Sequence, residues 1–114
     1  MSTPKEMFAN IAKNIALNPE KATSLNAVFK FDLAGDGGGT WTIDLRNGTK
    51  DNFVTAGEGG PDPSVAISMS SDDFGGIVSG KVNPMQAFMM GKIKVKGDMG
   101  LATKLQSIVA MAKD

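Results

Sequence analysis

The stretch GGIVSGKV, residues 75–82, has the spacing of a phosphate-binding loop, with Gly75, Gly80 and Lys81 in the G-x-x-x-x-G-K positions. Such a loop cradles phosphates with its backbone N–H groups and needs Ser or Thr after the lysine to hold magnesium. Val82 stands there instead. The segment also reads as a helix that stops at Gly80, rather than a loop that opens one, so nucleotide binding is not expected. The adjacent carboxylates Asp72 and Asp73 fall in the first turn of the same helix. There they suit the positive end of the helix dipole better than acid–base work. The glycine runs at 35–39 and 57–60 do not have the G-x-G-x-x-G spacing, and no carboxylate cluster has metal-ligand spacing. Asn47-Gly48-Thr49 fits a glycosylation acceptor, but a type I′ hairpin turn explains the same residues.

The chain contains no histidine, cysteine or tyrosine. It therefore lacks the commonest general base and the best nucleophile, and an enzyme here would have to work through Ser, Lys or carboxylates. No catalytic residue, metal or cofactor is expected. Lys+Arg and Asp+Glu are 12 each, whereas nucleic-acid binding needs an excess of cations to neutralise phosphates. The 114 residues suffice for one domain with a real core, spanning 1–114. No run approaches the ~20 apolar residues of a membrane span, and the N-terminal stretch lacks the apolar core of a secretory signal. A soluble, intracellular monomer is the expectation.

The elements that must position any site are marked along the chain. In STPKEMFANIAKNIALNP, Thr3 is placed to cap a helix, Pro4 fits its first position and Glu6 completes a capping box. Met7, Phe8, Ile11 and Ile15 form its apolar stripe, and Asn18-Pro19 ends it. In LNAVFKFDLAG, Phe29, Phe31 and Leu33 alternate with Lys30 and Asp32; in TWTIDLRNG, Trp41, Ile43 and Leu45 alternate with Thr40, Thr42 and Asp44. This is the pattern of a sheet with one buried face. A third strand follows the Asn47-Gly48 turn, and a fourth carries Val65, Ile67 and Met69 inward. Two short helices come next, one burying Phe74, Ile77 and Val78, the other capped by Asn83, opened by Pro84 and burying Met85, Phe88 and Met89. KIKVK makes a fifth strand with Ile93 and Val95 inward. Asp98 caps a last helix, whose apolar face centres on Leu101, Leu105, Ile108 and Ala112, with Gln106 at its margin.

Lys92, Lys94 and Lys96 point outward on that fifth strand. Outward lysines at a sheet edge deter edge-to-edge pairing. As a membrane contact, three charges at ~1 kcal/mol each would give only transient, salt-sensitive attachment. The concentration of Met85, Met89, Met90 and Met99 near Phe88 is the less ordinary feature. Pliable side chains either fill irregular gaps in a core or accommodate more than one partner, such as an amphipathic helix docked on a Met-rich face.

Two stretches, VFKFDLAGDGGGTWTIDLRNG (residues 28–48) and SGKVNPMQAFMMGKIKVKGDMGLATKLQ (residues 79–106), resemble the sterol carrier protein type 2 family of small lipid-binding domains. The resemblance rests on Gly80, Lys81, Asn83 and Pro84; on Ala87 and Phe88; on Gly91, Lys92, Ile93 and Lys94; and on Gly97, Met99, Gly100, Leu101, Ala102, Lys104, Leu105 and Gln106. It implies an α+β fold: a five-stranded, mainly antiparallel sheet with about four to five helices on one face, enclosing an apolar tunnel. It also implies a non-enzymatic carrier of fatty acids, fatty acyl-CoA or sterols. The expected lipid-binding lining is Phe31, Leu33, Trp41, Ile43 and Leu45 from the sheet, with Phe74, Ile77, Phe88, Met89, Met99, Leu101, Leu105 and Ile108 from the helices. Gln106 is the first candidate for a polar head group, although the same position suits a backbone cap or solvent. Ile108, Val109 and Met111 would form a lid. At ~0.8 kcal/mol per buried CH₂, a sixteen-carbon chain gains on the order of 12 kcal/mol before ordering costs, enough for micromolar binding. Peroxisomal members end in a small-basic-Leu tripeptide; Ala112-Lys113-Asp114 has Asp in the last place, so the compartment stays open between cytoplasm and peroxisome.

Overall fold

Thr3 accepts the Glu6 N–H at 3.3 Å, and Pro4 begins the first helix, α1 (Pro4–Leu17), in a computed structural model that describes residues 3–35, 37–46, 53–57, 62–102 and 104–110. The stripe of Met7, Phe8, Ile11 and Ile15 is buried. Asn18 ends α1 as expected, but Pro19 also serves as the first residue of a short second helix, α2 (Pro19–Thr23). Proline lacks the N–H that a helix start leaves unused, so one residue both stops and starts.

The sheet consists of β1 (Ala27–Ala34), β2 (Gly39–Leu45), β3 (Val54–Ala56), β4 (Val65–Ser70) and β5 (Lys94–Gly97), in the order β3-β2-β1-β4-β5. Three of its pairings are antiparallel, while β1 and β4 are parallel, with Phe31 opposite Ile67 and Leu33 opposite Met69. The alternation holds on one face, where Phe29, Phe31, Leu33, Ile43, Leu45, Val65, Ile67 and Met69 are buried, but Thr42, expected outward, is buried on the other face as well. The other face carries Lys30, Asp32, Thr40, Asp44, Ser68 and Lys94, all more open to solvent. β5 is an edge strand, which agrees with the protective reading of Lys94 and Lys96, but it begins only at Lys94, so Lys92 lies ahead of the strand rather than on it as expected.

Helix α3 (Ser71–Ser79) is capped by Ser70, which accepts the Asp73 N–H at 3.0 Å, and it buries Phe74, Ile77 and Val78. Gly80 closes it in the left-handed region at φ 84°, with the Lys81 N–H returning to the Gly76 carbonyl at 2.8 Å. The Gly-Lys pair therefore lies at a helix C-terminus, where carbonyls rather than N–H groups face out, which removes the phosphate-loop geometry.

Helix α4 (Pro84–Met89) corrects one expectation. Asn83 caps it as foreseen, but Met85, Phe88 and Met89 are exposed and Ala87 is the buried residue. Six residues make fewer than two turns, too few for periodicity to select a face, and the small Ala87 lets the backbone approach the core closely. The last helix is also two pieces, α5 (Met99–Ala102) and α6 (Leu105–Ala110). Asp98 Oδ1 accepts the Gly100 N–H at 2.9 Å at the start of α5. The Asn47-Gly48 turn and Met111 lie outside the described residues, as do the side chains of Leu105 and Gln106.

Candidate functional site

The interior is organised by α1 and the sheet. Phe8 sits between two parallel rings, Trp41 at a centroid distance of 4.7 Å and Phe74 at 5.1 Å, and meets Phe31 edge-on at 5.5 Å. Phe31 also meets Phe74 edge-on at 5.8 Å. Offset-stacked and edge-to-face pairs are the arrangements that the aromatic quadrupole favours. Four rings contributed by α1, β1, β2 and α3 thus close one part of the interior against itself. Ile43 and Leu45 are fully buried in the same core, and Ile77 and Ile108 join it where α6 packs on α3.

Elsewhere the packing opens. β4 continues to Ser70, past its last β5 partner, where Ser68 faces Lys94. A cleft of about 380 Å³ lies there, lined by Asp32, Leu33, Ala34, Ser68, Met69, Lys92 and Lys94. It lies open to solvent rather than enclosed. Asp32, Ser68 and Lys94 form one row across the solvent face of the sheet, so the cleft lies on that face, with Leu33 and Met69 belonging to the buried side. The Asp32 carboxylate accepts the Thr40 hydroxyl at 2.6 Å, and two lysines stand on the same rim.

Of the sequence-predicted lining residues, Phe31, Trp41, Ile43, Leu45, Phe74, Ile77 and Ile108 lie in the packed core, and Leu33 joins core and cleft. Leu101 is partly buried against the core. Phe88, Met89 and Met99 stand at the surface, from 39% exposed at Phe88 to 82% at Met89. Periodicity did not mark Phe8 as the hub of the rings or Met69 and Lys92 as cleft residues. The inward alternation of β4 was the available signal for Met69, and the α1 stripe for Phe8.

The polar groups are few and occupied. Among the described residues, no buried side-chain nitrogen or oxygen lacks a hydrogen-bond partner, and no group of three or more Asp or Glu is placed to hold a metal. At the end of β2, Arg46 donates to Asp44 from Nε at 2.9 Å and from Nη2 at 2.8 Å. That hydrogen bonding, and then the carboxylate charge, raise the guanidinium pKa above its ordinary value and keep the cation at the surface. The chemistry this interior offers is the removal of hydrocarbon from water.

Comparison with known proteins agrees. Hydroxysteroid dehydrogenase-like protein 2 of Danio rerio is 44% identical over 110 residues, which is 95% of this chain and 25% of that protein. The Homo sapiens protein of the same name is 40% identical over 105 residues, covering 92% of this chain and 24% of its own. The chain thus spans about a quarter of the length of these curated relatives. Among solved structures, apo sterol carrier protein 2 from Yarrowia lipolytica superposes with a TM-score of 0.71 at 28% identity, covering 94% of this chain and 89% of that one. Sterol carrier protein-2 from Aedes aegypti, solved in complex with palmitate, gives a TM-score of 0.73 at 24% identity, covering 99% and 100%. Residues 8–110 match the family model, and by that match the chain belongs to the SCP-2 sterol transfer family.

Proposed function

We propose that this domain is a non-enzymatic carrier of single lipids, namely fatty acid, fatty acyl-CoA or sterol, and that it works as a monomer. Hydrocarbon would lie in the apolar space between the sheet and the helices, making the tunnel expected of this family. The observation that carries this reading is the one-sided apolar face of the sheet, covered by α1, α3 and α6, in a chain whose residues 8–110 match a sterol transfer family. The cleft on the sheet's solvent face adds a polar rim. Lys92 and Lys94 on its rim offer charge to a carboxylate or phosphate head group, whereas Gln106 remains the sequence-based candidate for that role. The palmitate bound by the Aedes aegypti protein of the same fold makes palmitate the first ligand to try. The dehydrogenase-like names of the longer relatives support a setting in which the domain presents lipid to a neighbouring enzyme; the compartment we propose for it is the cytoplasm or a peroxisome.

Native mass spectrometry of the purified domain and calorimetry with palmitate and palmitoyl-CoA test the reading. Co-purifying lipid, or micromolar binding with a negative heat-capacity change, is expected. An empty protein that gives no heat with either ligand, or with cholesterol, would refute it.

A further inference from the structure

We propose that the turn–helix–turn running from Lys81 to Lys94 is the face that this domain lays on anionic phospholipid bilayers. The purpose of that contact, loading and releasing lipid, rests on the carrier reading; its geometry does not. Helix α4 is attached to the fold by Ala87 and by the buried Ile93 beyond it, which leaves Met85, Phe88, Met89 and Met90 facing water. Its backbone is fixed rather than loose. Asn83 Oδ1 accepts the Met85 N–H at 2.9 Å, the Gly91 N–H donates to the Phe88 carbonyl at 3.1 Å, and the Lys92 N–H to the Ala87 carbonyl at 2.9 Å. Large apolar side chains held outward on a fixed helix mark a contact surface.

Charge selects the partner. Between Asp73 and Asp98 the chain carries Lys81, Lys92, Lys94 and Lys96 and no carboxylate, although its overall charge is zero. All four lysines are exposed, and none forms an ion pair among the described residues. Asp32, which lines the cleft with Lys92 and Lys94, accepts a hydrogen bond from Thr40. Edge protection explains Lys94 and Lys96 on β5, but neither Lys81 and Lys92 nor the apolar side chains between them. A second copy of the chain would bring the same cations face to face, which opposes self-docking. Apolar side chains flanked by lysines are what an anionic interface takes up, with the former among the acyl chains and the latter at the phosphates. Unbranched methionines suit acyl chains of irregular packing. The cleft shares Lys92 and Lys94, so its mouth would open toward the membrane surface.

The test is sedimentation with phosphatidylcholine vesicles, with and without phosphatidylserine, at low and high salt. The wild type is compared with the double variant Met85→Ser/Met90→Ser, which touches no residue assigned to lipid binding. Thermal melting, palmitate binding in solution and molar mass by light scattering are measured alongside. Wild-type protein should bind the anionic vesicles and release them in high salt, and the folded variant should bind at least about tenfold more weakly with palmitate affinity unchanged. Failure of the wild type to bind anionic vesicles, equal binding to neutral ones, or undiminished binding by the folded variant overturns the proposal. So does a dimer that the variant abolishes, or displacement of vesicles by an acidic amphipathic peptide that binds Met85 and Met90 more tightly. If palmitate binding fails while vesicle binding behaves as stated, the carrier reading falls and this contact stands.

Discussion

Phe8→Ala removes the ring on which Trp41 and Phe74 stack and against which Phe31 packs edge-on. The side chain is 1% exposed, so its loss leaves a hole of about 100 Å³ before relaxation. At roughly 24 cal/mol per Å³, an unrelaxed cavity costs about 2.4 kcal/mol, and the lost transfer energy brings the total to about 4 kcal/mol. The stacking and edge contacts leave little scope for a smaller loss. A domain of 114 residues has an unfolding entropy of about 0.24 kcal/mol/K at its midpoint, so the melting temperature should fall by about 15 °C. Trp41, the only tryptophan, reports the same event, because it loses a stacked ring and its emission should shift to the red in the folded variant. Phe8→Leu, which refills most of the volume, should recover at least half of the stability. The measurement is thermal and urea unfolding followed by circular dichroism and Trp41 emission. A loss below about 1 kcal/mol with unchanged emission would show that the four rings do not form the packed unit described.

Four further outcomes are expected. Replacing Lys92 and Lys94 together by Ala should weaken palmitate about five- to tenfold while leaving methyl palmitate unaffected; equal effects in calorimetry would remove both lysines from head-group binding. Asn83→Ala deletes the oxygen that accepts the Met85 and Gln86 N–H groups, and should cost about 1 kcal/mol, with faster amide exchange confined to α4. Gly97→Ala should cost about 2–4 kcal/mol and loosen β5, because φ is +108° and a Cβ would lie 2.6 Å from the Ser64 carbonyl oxygen; full stability in urea would contradict that geometry. Amides of α6 should exchange faster without lipid than with it, and protection as slow as in β1 under both conditions would remove the lid role of Ile108 and Val109.

Much of this fold is legible because its signals are local. The alternation in β1 and β2, the Thr3-Pro4-Glu6 start of α1 and the Gly80 stop of α3 each depend on neighbours within a few residues. The parallel partnership of β1 and β4 is not legible, since alternation assigns a face to Phe31 and Ile67 but says nothing about which strand lies beside which. The face of α4 fails for a different reason: Met85, Phe88 and Met89 are more apolar than Ala87, yet the core accepts the small residue because backbone proximity decides there. The site is legible in part. Leu33 is common to the expected lining and the cleft, whereas Met69, Lys92 and Lys94 come together only through strand register and the late start of β5 at Lys94.

The central position of β1 has a consequence for synthesis. Val28 donates its N–H to Ser64 Oγ, 36 residues further on, at 3.1 Å, and the whole of that β1 edge is completed by β4. At roughly 5–20 residues per second, a nascent chain presents β1 with Phe29 and Phe31 and a bare hydrogen-bonding edge for about 2–7 s before its mate is translated. Ribosomes stalled with residues up to Ala56 emerged should therefore recruit holdase chaperones, and those stalled beyond Ser70 should shed them. Equal chaperone occupancy at the two stall points would mean that this edge is shielded by other means.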